Sequence, residues 1–148
     1  MPMFTETEAR AILEKVISLS TADECSAQLD GSIDGNIRYA RNAVSTSGIV
    51  SNAELAVQVS FGKRVGIATI NEFDDASLKK VVQRAEELAR LAPENPEFMP
   101  AVDKQDYKAT STYKAATAAV TPEFRAQVAA DSIEPCRKEK LVAAGVKE

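Results

Sequence analysis

The sequence predicts an α+β fold: a four-stranded, mainly antiparallel sheet with two helices packed on one face, plus a C-terminal strap and helix. Three observations carry that prediction. Leu55, Val57, Val59 and Phe61 recur at every second position, the side-chain period of a strand with one buried face. Gly62-Lys63 then marks a turn, and Val65, Ile67 and Thr69 alternate again as in a hairpin. From Ala76 the spacing lengthens to three and four through Leu78, Val81, Val82, Ala85, Leu88 and Ala89. Lys79, Lys80, Gln83, Arg84, Glu86 and Glu87 fill the other face, which makes an amphipathic helix.

The remaining elements follow in chain order. Thr5 with Glu8 three residues on fits a capping box. Ala9, Ile12, Leu13, Val16 and Ile17 then share a face, predicting a helix from about Glu6 to Leu19. Cys25, Ala27 and Leu29 alternate with polar neighbours, and Ile37 and Tyr39 do so again. With Gly31-Ser32 and Asp34-Gly35 as turn dipeptides, this predicts a hairpin of 24–30 with 36–44. Val44 to Ser51, rich in Ser, Thr and Gly, reads as an exposed loop, and Asn71 to Asp75 offers helix caps.

Pro93, Pro96 and Pro100 each remove a backbone donor and push the preceding residue out of helical geometry. Residues 93–120 show no sustained period and read as a strap, with Phe98, Tyr107 and Tyr113 as its anchors. Thr121-Pro122-Glu123 opens a helix with Phe124, Val128, Ala129 and Ile133 on its apolar face. Pro135 is expected to end or kink it. Leu141–Val146 reads as the start of a strand with no partner left in the chain. The expected organisation is a 1–92 core, a 93–120 strap, and a 121–148 segment leading to an absent C-terminal domain.

Composition narrows the chemistry. The chain has 148 residues, net charge −4 and 5% aromatic residues without Trp, so aliphatic side chains must build the core. Residues 1–60 hold 4 basic and 8 acidic groups, and residues 61–148 hold 14 of each. No basic patch forms, which disfavours nucleic acid as a partner. No run reaches the ~18 apolar residues of a membrane span, and no signal peptide opens the chain. Cys25 and Cys136 lie far apart in no metal spacing and read as reduced thiols of a cytoplasmic protein.

There is no histidine, which removes the commonest general base and metal ligand. Asp74-Asp75 suits a helix N-terminus, and Glu86-Glu87 reads as a solvated helical face. Catalytic residues and metal ligands are therefore assigned to none. Arg38-Tyr39-Ala40-Arg41-Asn42 is the unusual stretch: Arg38, Arg41 and Asn42 are candidates to contact a peptide or a partner. The competing reading pairs both arginines with Glu24 or Asp30 on the opposite strand, and it carries more weight because surface charge is a weak signal.

The order of segments resembles the N-terminal domain of the TldD/PmbA proteins, also called modulators of DNA gyrase. The resemblance rests on the Arg-x-x-Arg-Asn strand at Arg38, Arg41 and Asn42, on "GKRVGIATINEFDDASLKKVVQRAEELA", and on "PENPEF". "TPEFRAQVAADSI" and "KLVAAG" resemble the family's bridge into its second domain. The resemblance implies a fragment of a longer metallopeptidase that degrades small unfolded peptides. It places zinc on a His-Glu-x-x-x-His helix in the C-terminal domain of active members, so this chain holds no cofactor and is inactive alone. Some members lack that motif and act as the inactive half of a pair. The implied partners are the parent's C-terminal domain, a TldD/PmbA-like subunit in a homo- or heterodimer, and peptide substrate. The alternative is a free-standing protein- or peptide-binding adaptor.

Overall fold

A computed structural model describes residues 3–106 and 108–148, so Tyr107 lies outside the described residues. The elements are α1 (Glu6–Leu19), β1 (Glu24–Ala40), β2 (Ala43–Phe61), β3 (Arg64–Ile70), α2 (Asp75–Leu91), α3 (Ala115–Ala118), α4 (Pro122–Lys138) and β4 (Gly145–Lys147). Four strands form one sheet in the order β3-β2-β1-β4, and β2–β3 and β1–β4 pair antiparallel. The fold class is α+β, as the alternations predict, but the strands are apportioned differently.

The expected first hairpin is a single strand. β1 runs seventeen residues through both Gly31-Ser32 and Asp34-Gly35, and the reversal comes at Arg41-Asn42. Val44–Ser51 is not a loop but the first part of β2. The physical reason is that Ser and Thr suit a strand when their hydroxyls find acceptors. Ser45 Oγ donates to the Arg38 carbonyl and Ser47 Oγ to the Asn36 carbonyl, both at 3.2 Å. The fourth strand is β4, which pairs Gly145, Val146 and Lys147 with Tyr39, Arg38 and Ile37. The expectation that this segment lacks a partner is thus corrected.

The chain forms two compact units. One takes in residues up to Gly31 and Asn52–Lys108; the other takes in Ser32–Ser51 and Ala109–Glu148. In the first unit, Val16 of α1, Leu55, Val57 and Val59 of β2, Ala68 of β3, and Leu78, Val81, Val82, Ala85 and Ala89 of α2 make one core. Both helices therefore cover the same sheet face. Thr5 caps α1 with the full capping box, and Asp74 caps α2 through the N–H groups of Ala76 and Ser77. The Thr5 bonds hold the Glu8 carboxyl below its ordinary range, and the Ser77 hydroxyl, followed by the Ser77 and Ala76 N–H groups, does the same for Asp74.

The face of β3 is the reverse of the expected one. Gly66 and Ala68 are buried, while Ile67 and Thr69 are exposed. In register, Val59 faces Gly66, Val57 faces Ala68 and Leu55 faces Ile70. Small residues face inward because α2 lies directly on them. Beyond α2, Asn95 N–H donates to the Lys63 carbonyl and Ala101 N–H to the Glu24 carboxylate. Phe98 is half-buried beside Glu24, Ser26 and Ser60, the anchor expected of it. Tyr113 is 68% exposed and anchors nothing.

In the second unit α4 runs through Pro135 to Lys138, so the proline neither ends the helix nor marks its last residue. The helix gives up one bond there, the one a residue-135 N–H would make to the Asp131 carbonyl. Thr121 caps the start, with Pro122 in the first turn, as expected. The buried stripe is Arg125, Ala129 and Ile133, whereas Phe124 is 56% exposed. Gly35 explains the substitution: a Cβ built there would stand 2.4 Å from Arg125 Nη1, so the arginine occupies the space a side chain would fill.

Candidate peptide-contact site

Arg38, Arg41 and Asn42 lie where β1 reverses into β2. Arg41 and Asn42 are the two central residues of the reversal, with φ of 52° and 60°. Positive φ at both positions defines a turn whose twist matches that of the flanking strands. Asn tolerates that region better than most residues, and Arg41 is carried along with it. Arg38 and Arg41 are both exposed. Neither makes an ion pair with Glu24 or Asp30 among the described residues, because those acids sit on the same strand as Arg38 rather than opposite it.

Asn42 works within the fold. Its Nδ2 donates to the Leu141 carbonyl at 2.8 Å, its Oδ1 accepts from Ala143 N–H at 2.6 Å, and its own N–H donates to the Ala143 carbonyl at 3.3 Å. The amide grips residues 141–143 much as a neighbouring strand would. Arg137 adds a bond to the Asn42 carbonyl. Further along, Tyr39 lies across Gly145, whose added Cβ would fall 2.6 Å from the phenol oxygen. An aromatic over an edge glycine covers a strand that has no side chain of its own there.

Asn42 is therefore expected to hold the C-terminal strand in place. Asn42→Ala removes two bonds and leaves a β-carbon at positive φ, costing about 1–2 kcal/mol locally. Hydrogen exchange should quicken at Ala143–Lys147 while the α2 amides stay protected. Unchanged exchange at Ala143–Lys147 would contradict the clamp.

Asn42, Val44, Ala130, Ile133, Glu134 and Arg137 border a cleft of about 310 Å³. Arg38 and Arg41 do not reach it, so only one of the three predicted residues does. Two charged residues escape the sequence reading. Arg125 is only 6% exposed, and its Nε has no hydrogen-bond partner. Its charge helps hold the Glu123 carboxyl low, behind the bonds from that residue's own N–H and the Thr121 hydroxyl. Glu86, expected on a solvated face, is 7% exposed and accepts from Thr21 and Ser20.

Both cysteines are free and half-buried, and burial pushes the Cys25 thiol up. With no histidine in the sequence and no convergent trio of His, Cys, Asp or Glu among the described residues, the side chains present do not fit a zinc site. No described helix is long and apolar enough to cross a membrane.

Residues 29–89 match the family described as PmbA/TldA metallopeptidase domain 1. No curated protein matches the sequence. Among solved structures, TldE from Thermococcus kodakarensis superposes with a TM-score of 0.75 at 15% identity, over 88% of this chain and 29% of that one. A candidate modulator of a DNA gyrase from Thermotoga maritima gives 0.70 at 11% identity, over 93% and 32%. A candidate modulator of DNA gyrase from Bacteroides thetaiotaomicron gives 0.65 at 15% identity, over 92% and 30%. The chain thus spans about a third of the length of these proteins. Such identities show a shared fold, and with the match of residues 29–89 to the family's first domain they make this chain similar to the N-terminal domain of the TldD/PmbA proteins.

Proposed function

We propose that this chain is the non-catalytic N-terminal domain of a TldD/PmbA-type metallopeptidase, working in the cytoplasm. It shapes the substrate chamber and contributes subunit contacts, while small unfolded peptides are cleaved at zinc held by the parent's C-terminal domain. The observation that carries this reading is the match to the family's first domain in a chain without histidine. The partners are that C-terminal domain, a TldD/PmbA-like subunit and the peptide. Arg38 and Arg41 supply exposed charge for a peptide or partner, and Asn42 fixes the turn that presents Arg41. A sheet edge can hold an extended peptide through main-chain bonds, which suits substrates of varied sequence.

The test is direct. The purified chain is incubated with zinc chloride and an unstructured peptide, and the products are read by mass spectrometry. No cleavage is expected; zinc-dependent cleavage ends the proposal. A second reading, a free-standing binding module, draws support from the pairing of Gly145–Lys147 with β1 inside the chain. It predicts that the chain alone binds unstructured peptide, with Arg38→Ala and Arg41→Ala weakening the complex.

A further inference from the structure

We infer that Arg125 receives the C-terminal carboxylate of an extended peptide lying along α4. Arg125 is 6% exposed, its Nε has no hydrogen-bond partner, and no carboxylate pairs with it among the described residues. A guanidinium taken out of water is ordinarily paired, because its desolvation is otherwise uncompensated. The fold makes room for the cation and supplies no anion. A Cβ at Gly35 would collide with Nη1 and Cζ and stand 3.0 Å from Nη2, so the glycine lets the guanidinium lie against β1. The acids nearby are engaged elsewhere. Asp34 accepts the Ser32 hydroxyl at 2.7 Å, and Glu123 is exposed and held by its own N–H and the Thr121 hydroxyl.

Open space adjoins the guanidinium. The bond from Ser47 Oγ to the Asn36 carbonyl sets β2 beside β1 there. It brings Gly48, the next residue of β2, alongside Gly35, and a Cβ built at Gly48 meets nothing within 4 Å. From Ala126, the residue after Arg125, the cleft of about 310 Å³ follows α4 past Ala130 and Ile133 to Arg137, with Val44 on its other side. The alanines leave depth for a main chain, and Ile133 and Val44 offer aliphatic contact to its last side chains. The charge selects the end of a peptide as the occupant. A guanidinium fork meets a carboxylate through two parallel bonds. One buried cation balances one negative charge, and the Glu123 carboxylate two residues away weighs against a doubly charged phosphate. The cleft takes in no residue of α4 before Ala126, so a chain lying in it ends at Arg125.

The inference deepens the peptide contact proposed above and rests on it. Its test reads binding and not cleavage, so each can fail without the other. The purified chain is titrated with an acetylated hexapeptide ending in leucine and valine, as free acid and as C-terminal amide, and followed by proton–nitrogen NMR. The acid should bind at least about tenfold tighter than the amide and shift the Arg125 Nε–Hε signal. Arg125→Met should abolish the preference and unfold in urea at a midpoint no lower than wild type, because it removes an unpaired buried charge. Gly35→Ala, which pushes the guanidinium aside and keeps the charge, should weaken the acid at least about tenfold and leave the amide unchanged. Absence of binding, equal affinity for acid and amide, an unmoved Nε–Hε signal, or a lower midpoint for Arg125→Met each overturns the proposal. So does inorganic phosphate that shifts the Nε–Hε signal further than acetate does.

Discussion

Gly66→Ala should destabilise this chain by about 3 kcal/mol, the upper part of the range for overpacking a core. A Cβ built at Gly66 would stand 2.2 Å from the Ala85 carbonyl oxygen, 2.3 Å from the Ala89 nitrogen and 2.9 Å from the Ala89 Cα. All three are backbone atoms of α2, so no rotamer change relieves the clash. Gly66 shows no positive φ, so the need is for space and not for backbone freedom. Its neighbours fit the same geometry: Ala68, Ala85 and Ala89 are all buried where strand and helix approach most closely. The only relief is to lift α2 off β3, which opens voids around Leu78, Val81 and Val82. Urea unfolding reads the loss as a lower midpoint at unchanged slope. Gly48→Ala is the matched comparison, since its Cβ meets nothing within 4 Å. It should change stability by less than ~1 kcal/mol, in the stabilising direction, because alanine has less freedom to lose on folding. Equal effects from the two substitutions would refute the steric account.

How much of this was legible in the sequence depends on which residue set the phase of each element. Leu55, Val57 and Val59 are large, and their alternation fixed β2 and its buried face. The capping box at Thr5 and Glu8, the cap at Asp74 and the Thr121-Pro122 start are local signals, and each was met. The face of β3 was misread because Val65 and Ile67, apolar at alternate positions, do not mark the core side, which belongs to Gly66, Ala68 and Ile70. Close approach of a helix selects small residues, and hydrophobic size then points the wrong way. Asp34-Gly35 reads as a reversal for a similar reason: a glycine kept for the space Arg125 fills looks like one kept for a turn. The true reversal at Arg41-Asn42 contains no glycine, so its signal was weak. Pairing of β4 with β1 joins residues about a hundred positions apart and leaves no local trace. The same holds for the Asn42 clamp: the sequence singled the residue out as a contact, while its bonds run to Leu141 and Ala143.

Glu86 was missed because its position beside Ala85 and Ala89 resembles the flank of an amphipathic stripe, and a carboxylate there is ordinarily solvated. It is instead the link between α2 and the connection from α1 to β1. Oε1 accepts from Thr21 N–H at 2.6 Å, from Thr21 Oγ1 at 3.1 Å and from Ser20 Oγ at 3.2 Å, and Oε2 accepts from Thr21 Oγ1 at 3.0 Å. Arg90 completes the set at 3.4 Å. Burial pushes the carboxyl pKa up, but the Thr21 and Ser20 bonds and the Arg90 charge outweigh it, and the net displacement is downward. The folded chain therefore holds this proton less tightly than the unfolded chain, whose value is about 4.3. The stabilisation from Glu86 is complete above that value and is lost as pH falls through the lower folded one. Glu86→Gln keeps the shape but removes the charge and, with Thr21 N–H kept on the amide oxygen, sets the amide NH2 against the donor-only Arg90 guanidinium. The expected cost at pH 7 is about 2 kcal/mol, and Glu86→Leu, which leaves every donor unpaired, should cost more. Glu8, Asp74 and Glu123 are also held low, so acid weakens wild type through several carboxylates at once. The difference between wild type and Glu86→Gln cancels those contributions. That difference should be constant from pH 5 to 7 and shrink below about pH 4. A gap that persists undiminished to pH 2.5 would mean that the carboxylate's charge does not fasten α1 to α2, and that only its shape does.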